Sequence, residues 1–309
     1  MRQEETAFVL SQPLAGREQR IALRDRELTV YIHDCGQPDA PVLFEMHGGG
    51  YALGHAAKND ALRERICGQG IHVVGVNYRK SPEHIYPAPL DDVCDCVRWL
   101  TGHGRELGLT CEQVFLCGES AGANLAQAAA LRLIREGYSR LSGQILHYPC
   151  LDMVTPYQEK RHRKYPTDFE ESTSRAFDEL YCPTDYRGEA YVSPILTPKA
   201  ELAALPPTLI ITAGRDYLKF EAKKFFDRLA EAGAEAYLDE EPDAHHGYIE
   251  DWFNPACYAN TAEAVRALHA PDFGRQAEEA IDETVEFILR IAARRGKPVQ
   301  PEQKKVSGL

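Results

Sequence analysis

The 309-residue sequence has no long apolar segment, and this lack limits the classes of protein to which it can belong. No apolar run approaches the roughly 20 residues that a membrane-spanning helix needs. The first residues, Met1 to Glu5, lack the apolar stretch of a secretory signal, so we expect a protein that is not exported. Basic residues are also in deficit, with 35 Lys and Arg against 47 Asp and Glu. The resulting net charge of −12 argues against nucleic acid and against an anionic membrane as partners.

The patterns typical of metal catalysis are absent from the sequence as well. It contains no H-E-x-x-H segment and no pair of C-x-x-C segments, while Cys94 and Cys96 lie two apart on a predicted helix and so face different sides. We therefore predict no metal site and no cofactor. The nine cysteines are an odd number scattered along the chain, and several fall in predicted core elements. This favours free thiols in a reducing compartment, and we expect a cytoplasmic protein.

What the sequence does contain is a regular alternation of apolar strands and amphipathic helices. Strands are predicted at residues 17–23, 27–33, 41–46, 71–78, 113–117, 143–148, 208–212 and 235–240. Helices are predicted at residues 56–69, 91–103, 123–136, 220–232 and 275–294. This alternation predicts an α/β fold with a doubly wound, mostly parallel sheet.

Residues 151–191 interrupt this alternation. They are polar and charged, with one helical segment predicted near 172–181, and we interpret them as a cap or lid on the active-site side. The core domain would then consist of residues 1–150 and 192–295. The charged run at 159–164 is interpreted as a solvated helix face, and residues 296–309 as a loose polar tail.

The segment Gly118-Glu119-Ser120-Ala121-Gly122 lies between a predicted buried strand and a predicted helix. Its glycines allow a sharp turn that lifts the serine hydroxyl above the sheet, beside the N–H groups of the helix N-terminus. Five residues of this kind also arise by chance in ordinary turns. The strand and helix on either side favour Ser120 as a nucleophile.

A base and a residue to orient it are predicted on the next strand ends. Asp216 follows one predicted strand, and the pair His245-His246 follows the next. Taken singly, an Asp after a strand is often a helix cap, and a loop His is often only solvated. In the order Ser, Asp, His, on strand ends that meet at one edge of a parallel sheet, they predict a catalytic triad.

Glycines after the strand at 41–46 supply the donors that an oxyanion requires. In His47-Gly48-Gly49-Gly50 the backbone can approach a ligand closely with its N–H groups, although a glycine triplet alone also fits a flexible turn. Beside an elbow serine, the esterase interpretation is favoured. The N–H of Ala121, the residue after the nucleophile, would add a further donor.

Four blocks of sequence together resemble the hormone-sensitive lipase family of α/β-hydrolase esterases, over roughly residues 30–250. The blocks are His47-Gly48-Gly49-Gly50, Asn77-Tyr78-Arg79-Lys80-Ser81-Pro82-Glu83 with Tyr86-Pro87-Ala88, Gly118-Glu119-Ser120-Ala121-Gly122-Ala123-Asn124, and Asp216-Tyr217-Leu218 with His246-Gly247-Tyr248. The resemblance implies an α/β-hydrolase fold with an eight-stranded sheet. It also implies specific roles, which are Ser120 as nucleophile, His246 as base, Asp216 as its orienting partner, and Gly49, Gly50 and Ala121 as oxyanion donors.

The matched blocks also contain residues with structural roles and departures from the family pattern. The resemblance implies that Arg79 and Glu83 brace the active-site loops. Glu119 replaces the Asp usual in the elbow, a change we expect to be tolerated. Only about sixteen residues precede the first predicted strand, so half of the family's helical cap is reduced or missing. Residues 251–274 either fold over the pocket in its place or form a plain surface loop.

The function implied by the resemblance is hydrolysis of small-molecule esters with short acyl chains, from acetyl to about hexanoyl. A reduced cap favours a bulky or polar alcohol, such as an acetylated sugar. Family members often pair through the last strand and helix, so a homodimer is expected. Two alternatives stay open, namely an amidase such as an aryl formamidase using the same triad, and a non-catalytic ligand receptor, against which the retained His246 argues.

Overall fold

An eight-stranded sheet runs through the centre of the protein, in a computed structural model that describes residues 2–160, 171–254 and 270–294. Its strands are β1 (Arg17–Ala22), β2 (Glu27–His33), β3 (Val42–Met46), β4 (His72–Val76), β5 (Val114–Glu119), β6 (Leu141–His147), β7 (Thr208–Ala213) and β8 (Ala236–Glu241). The strand order across the sheet is β1-β2-β4-β3-β5-β6-β7-β8. Pairing is antiparallel between β1, β2 and β4 and parallel from β4 to β8, which places the carboxyl ends of β3, β5, β7 and β8 at the same edge.

Helices cover both faces of this sheet. They are α1 (Arg2–Leu10), α2 (Asp60–Cys67), α3 (Ala88–His103), α4 (Ala121–Arg135), α5 (Tyr157–Lys160), α6 (Glu171–Tyr181), α7 (Lys199–Leu202), α8 (Leu218–Ala232), α9 (Tyr248–Phe253) and α10 (Phe273–Ala292). Side chains alternate along each strand, so α3, α4 and α8 share one apolar core with one face of the sheet. The other face packs with α2, α9 and α10 in a second core.

The amino-terminal residues form a helix that the sequence pattern does not predict. Helix α1 is weakly amphipathic, and contacts made elsewhere in the fold hold it in place. The guanidinium of Arg2 donates to the carbonyls of Ala52 and Ser81 at 3.3 and 2.8 Å, and Val9 is buried. A single nine-residue helix therefore stands where the family's cap helices were expected to be reduced.

Two other predictions need adjustment. The helix predicted at 56–69 divides into a 3-10 turn (Ala56–Asn59) and α2, because Asn59 turns inward and donates to the buried carboxylate of Glu45 at 2.8 Å. The prediction that the charged run at 159–164 is a solvated helix face is wrong for Lys160. Its side chain is 10% exposed, and its Nζ lies 2.9 Å from Glu221 Oε1. The rest of that run and the predicted tail at 296–309 lie outside the described residues.

Two further observations bear on the expectations from composition. Among the residues that the structure describes, no helix is both long and apolar enough to cross a bilayer. Eight cysteines fall in these ranges, and all of them are free thiols.

We expect Gly122→Ala to destabilise the fold, because α4 begins with its backbone directly against β3. A Cβ at Gly122 would lie 1.8 Å from the carbonyl oxygen of Met46 and 2.6 Å from that of His47. The expected loss is about 3–5 kcal/mol in the free energy of unfolding, measured by urea denaturation. Gly102→Ala is the control, since a Cβ there meets nothing within 4 Å in helix α3 and should stabilise by roughly 0.5–1 kcal/mol. Equal stability of the two variants would contradict this account of the contact.

Candidate active site

The turn between β5 and α4 holds Ser120 in a strained conformation. Its φ of 54° and ψ of −115° lie in a region that non-glycine residues rarely adopt. The two flanking glycines make this turn possible, because a Cβ at Gly118 would come within 2.3 Å of the Gly122 backbone. The Ser120 N–H donates to the carbonyl of His147 on the adjacent strand β6 at 2.9 Å. The turn therefore fixes the serine hydroxyl at the edge where the parallel strands end.

Ser120, His246 and Asp216 meet at this edge. The Nε2 atom of His246 lies 2.9 Å from Ser120 Oγ, and its Nδ1 atom lies 2.5 Å from Asp216 Oδ2. The second carboxylate oxygen of Asp216 accepts the N–H of Leu218 at 3.0 Å, which fixes the orientation of the carboxylate. The imidazole donates through Nδ1 to the carboxylate, so the lone pair of Nε2 faces the serine hydroxyl.

The charges around His246 favour its protonated form. Burial alone lowers the pKa of this imidazole, but the negative charge of Asp216 and the hydrogen bond to it outweigh the burial. Glu250 and Asp251 raise the pKa further, so that it lies above the usual 6.5. The arrangement can accept a proton from the serine and hold it as an imidazolium.

His245, the other candidate base, faces away from the serine. Its Nε2 lies 3.2 Å from Asp251 Oδ2, and its ring packs edge-on against Phe273 at 5.8 Å. The side chain is buried between α9 and α10. The geometry thus brings His246 and not His245 to Ser120, as the resemblance implied.

The three backbone N–H groups expected to bind an oxyanion have no acceptor within the described residues. Those of Gly49, Gly50 and Ala121 appear in no intramolecular hydrogen bond there, whereas Gly48 donates to Glu250 Oε1 at 3.1 Å. Gly50 and Ala121 line the same cavity as Ser120, and Gly49 lies in the same turn but does not line it. Free N–H groups at a nucleophile can bind a negatively charged oxygen.

Glu250 connects the glycine turn to the histidine loop, and no feature of the sequence indicated this. It lies in α9, four residues after His246, and its carboxyl holds the Gly48 N–H. Burial raises the pKa of Glu250, while the charge of Lys58 opposes that shift. The contact fixes the position of the donor turn relative to the imidazole.

Behind the turn, Glu119 belongs to a fully buried hydrogen-bond chain. Thr284 Oγ1 donates to the Ala280 carbonyl at 2.9 Å and so accepts from His147 Nε2 at 2.9 Å. The other imidazole nitrogen then accepts from Glu119 Oε1 at 3.1 Å, which requires a protonated carboxyl. Burial raises the pKa of Glu119 well above its usual value, consistent with that form. Cys117 lies against the same ring and completes a group of metal-ligand types within 4.8 Å, but both nitrogens of the imidazole are already hydrogen-bonded.

A cavity of about 230 Å³ opens beside Ser120. Its floor includes Gly50 and Ala121, and its walls come from residues 150–160 and from helix α6. The ring of Phe177 covers the glycine turn, since a Cβ on Gly50 would come within 2.2 Å of it. Residues after β6 therefore form the roof of the site, where a cap was predicted.

A sequence model described as the alpha/beta hydrolase fold matches residues 43–250, more than half of the chain. The chain belongs to this family. The resemblance to hormone-sensitive lipases and the predicted α/β-hydrolase fold are both confirmed, and the chain is an enzyme of the esterase class. The resemblance had implied the same fold from four short blocks.

Known proteins of this family include named esterases. The carboxylesterase NlhH of Mycobacterium tuberculosis is 31% identical over 256 residues, which cover 80% of each chain. The arylacetamide deacetylase of Oryctolagus cuniculus is 27% identical and covers 71% of this chain and 69% of its own. An ester hydrolase from the metagenome of Lake Arreo, solved with a bipyridine phosphonate derivative, superposes with a TM-score of 0.79 over 94% of this chain and 90% of its own. At 23% identity, that structure supports the fold alone.

Two residues of the matched blocks make contacts that brace loops. The guanidinium of Arg79 binds the buried carboxylate of Asp92 at 2.9 Å, and Glu83 pairs with Arg2 of α1. Of the stretch at 251–274, Trp252 packs on Phe273 at 5.8 Å and does not line the cavity. Residues 255–269, including Tyr258 and His269, lie outside the described ranges, so cover from that part stays a prediction.

Proposed function

We propose that the protein is a serine carboxylesterase that uses Ser120, His246 and Asp216 as its triad. The observation that carries the proposal is the continuous contact from Asp216 through His246 to the Ser120 hydroxyl, at 2.5 and 2.9 Å. In the first step Ser120 Oγ attacks the ester carbonyl while His246 Nε2 takes its proton. Asp216 holds the imidazole and stabilises its positive charge.

The tetrahedral intermediate places a negative charge on the former carbonyl oxygen. The N–H groups of Gly49, Gly50 and Ala121 are the donors we assign to that oxygen. His246 then protonates the leaving alcohol, and a water molecule activated by the same imidazole hydrolyses the acyl-enzyme.

The proposed substrates are esters of short acyl groups, from acetyl to about hexanoyl, and acetylated sugars are the proposed natural class. A cavity of about 230 Å³ beside the serine supports a small acyl group, and the single amino-terminal helix leaves less cover than the family's cap. A p-nitrophenyl ester series from acetyl to dodecanoyl, with acetylated sugars in parallel, tests this. Turnover that peaks beyond octanoyl would contradict the chain length, and no turnover of any ester together with no fluorophosphonate labelling would contradict the enzyme.

We expect kcat/KM to fall at acid pH, as His246 becomes protonated and can no longer accept the serine proton. Since the pKa of His246 lies above 6.5, this fall should begin at a higher pH than for an unperturbed imidazole. Asp216→Asn removes the charge that raises this pKa, so the acid limb of the residual activity should move to lower pH. Initial rates from pH 5 to 9 measure the two pH profiles. If the acid limb has the same midpoint in Asp216→Asn, it reports the protonation of a group other than His246.

Amide hydrolysis is a second candidate, and the name of the rabbit relative, an arylacetamide deacetylase, favours it. The same triad can expel an amine if His246 protonates it. Comparison of p-nitrophenyl acetate with p-nitroacetanilide and N-formylaniline measures the ester-to-amide preference. An amide preference would replace the ester proposal.

The homodimer and the cytoplasmic location are also proposals. Among the described strands, β8 lies at the edge of the sheet with α10 against it, so its outer side can pair with a second copy. Light scattering coupled to size exclusion measures the mass, and cell fractionation measures the location.

A further inference from the structure

The cavity beside Ser120 adjoins the nucleophile and two of the assigned oxyanion donors. It is lined by the serine and by the donors Gly50 and Ala121, but not by His246. In the proposed function the leaving oxygen must reach His246 Nε2 to be protonated, so the alcohol departs on the histidine side. The cavity therefore receives the acyl group.

The walls of this acyl cavity are not those of an alkyl-binding pocket. Apolar side chains such as Met153 and Leu218 line part of it, but Lys160, Asp178 and Arg187 line it as well. An alkyl chain would displace water from these charged groups without forming hydrogen bonds to them, which is unfavourable. The lining indicates an acyl group with a polar substituent.

One of the charges, Lys160, is already compensated. Its Nζ lies 2.9 Å from Glu221 Oε1 and donates to the Asp152 carbonyl. The other oxygen of Glu221 accepts the N–H groups of Leu151 and Asp152 at 2.8 and 2.9 Å. Because Lys160 and Glu221 already interact with each other and with the backbone, they hold this part of the cavity wall in place and have few hydrogen bonds left for a substrate.

Asp178 is different, because within the described ranges its carboxylate accepts no hydrogen bond and forms no ion pair. It lies on α6 and lines the cavity next to Phe177, which covers the glycine turn. Burial raises the pKa of Asp178 to about 6, and the charges of Lys160 and Arg187 oppose the shift. The group is therefore mostly ionised at neutral pH, and no described residue donates a hydrogen bond to it.

The surrounding cations decide which donor fits. A substrate ammonium would gain the attraction of Asp178 but would lie near Arg175 and Arg187, which line the same cavity. A carboxylate substituent would be repelled by Asp178 itself. A neutral hydroxyl can donate to Asp178 without an unfavourable charge.

We propose that Asp178 is a specificity residue that selects esters whose acyl chain carries a hydroxyl group, which donates a hydrogen bond to its carboxylate. This inference rests on the proposed esterase function and refines it on the acyl side: within the proposed range of short acyl groups it assigns hydroxylated chains, rather than the acetyl group, as the natural class.

The test compares acyl groups of equal length with and without a hydroxyl, on one leaving group. Phenyl 3-hydroxybutyrate is compared with phenyl butyrate, and phenyl 6-hydroxyhexanoate with phenyl hexanoate. For at least one pair we expect kcat/KM to be about 10- to 100-fold higher for the hydroxylated ester, as for a hydrogen bond to a charged group. Asp178→Leu should abolish or reverse this preference, and Asp178→Asn should retain part of it because the amide oxygen still accepts.

Glu179→Leu is the matched control, since Glu179 is the adjacent acid on α6, is exposed and does not line the cavity. It should leave both rates unchanged. Equal rates within each pair in the native enzyme, or a preference that survives Asp178→Leu, would overturn the inference while leaving the esterase intact. A phenyl ester of β-alanine that outperforms both hydroxylated esters would also overturn it, because it would assign an ammonium to Asp178. Failure to hydrolyse any phenyl ester would instead count against the proposed function.

Discussion

Ser120→Ala is expected to abolish ester hydrolysis. The alanine keeps the turn but removes the hydroxyl oxygen that lies 2.9 Å from His246 Nε2. Without a covalent acyl-enzyme, the remaining oxyanion donors give only a small acceleration over water. We expect kcat to fall by about 10⁴- to 10⁶-fold, measured with p-nitrophenyl butyrate. Labelling by a fluorophosphonate should disappear in the same variant.

The effect must be separated from loss of structure, since Ser120 lies in a strained turn with a φ of 54°. Alanine tolerates this φ no better than serine does, so a similar melting temperature is expected. Ser139→Ala, at an exposed position after α4, is the control and should keep full activity and labelling. Labelling that persists in Ser120→Ala would assign the nucleophile to another side chain.

The predicted position of the active site followed from strand ends, and this is why it could be derived from sequence. A short apolar run fixes a strand, and the residues after it must lie at the carboxyl edge of a parallel sheet. Ser120, Asp216 and the pair His245-His246 each follow a predicted strand, at β5, β7 and β8. Local patterns and topology thus bring these side chains to one edge of the sheet, while the choice of His246 over His245 came from the family resemblance.

The surroundings of the site could not be derived in the same way, because they depend on contacts between distant segments. Lys160 belongs to a charged run that suggests a solvated face. Its side chain is nevertheless largely buried and pairs with Glu221, which follows 61 residues later (221 − 160). Glu250 reaches Gly48 across 202 residues of sequence. Helix α1 has little amphipathic pattern and is held by Arg2. Local periodicity contains no information on such pairs.

His246→Ala is expected to reduce kcat nearly as much as loss of the nucleophile, by about 10⁴- to 10⁶-fold. The serine hydroxyl would lose the base at 2.9 Å, and Asp216 would remain as a buried charge with no imidazole to orient. Because that unpaired charge also lowers stability, activity should be measured well below the melting temperature, on folded protein confirmed by circular dichroism. Labelling by a fluorophosphonate should slow in parallel, since it requires the same activated hydroxyl.

His245→Ala is the matched control for this prediction, because it removes the same side chain from the neighbouring residue. His245 contacts Asp251 and Phe273 rather than Ser120, so its loss should lower the melting temperature through the second core. Its kcat should stay within about tenfold of the native value, because the contacts at Ser120 are unchanged. If His245→Ala were the inactive variant and His246→Ala kept its activity, the base would be His245. The loop after β8 would then have to adopt a different arrangement during catalysis, with the two adjacent rings exchanging places.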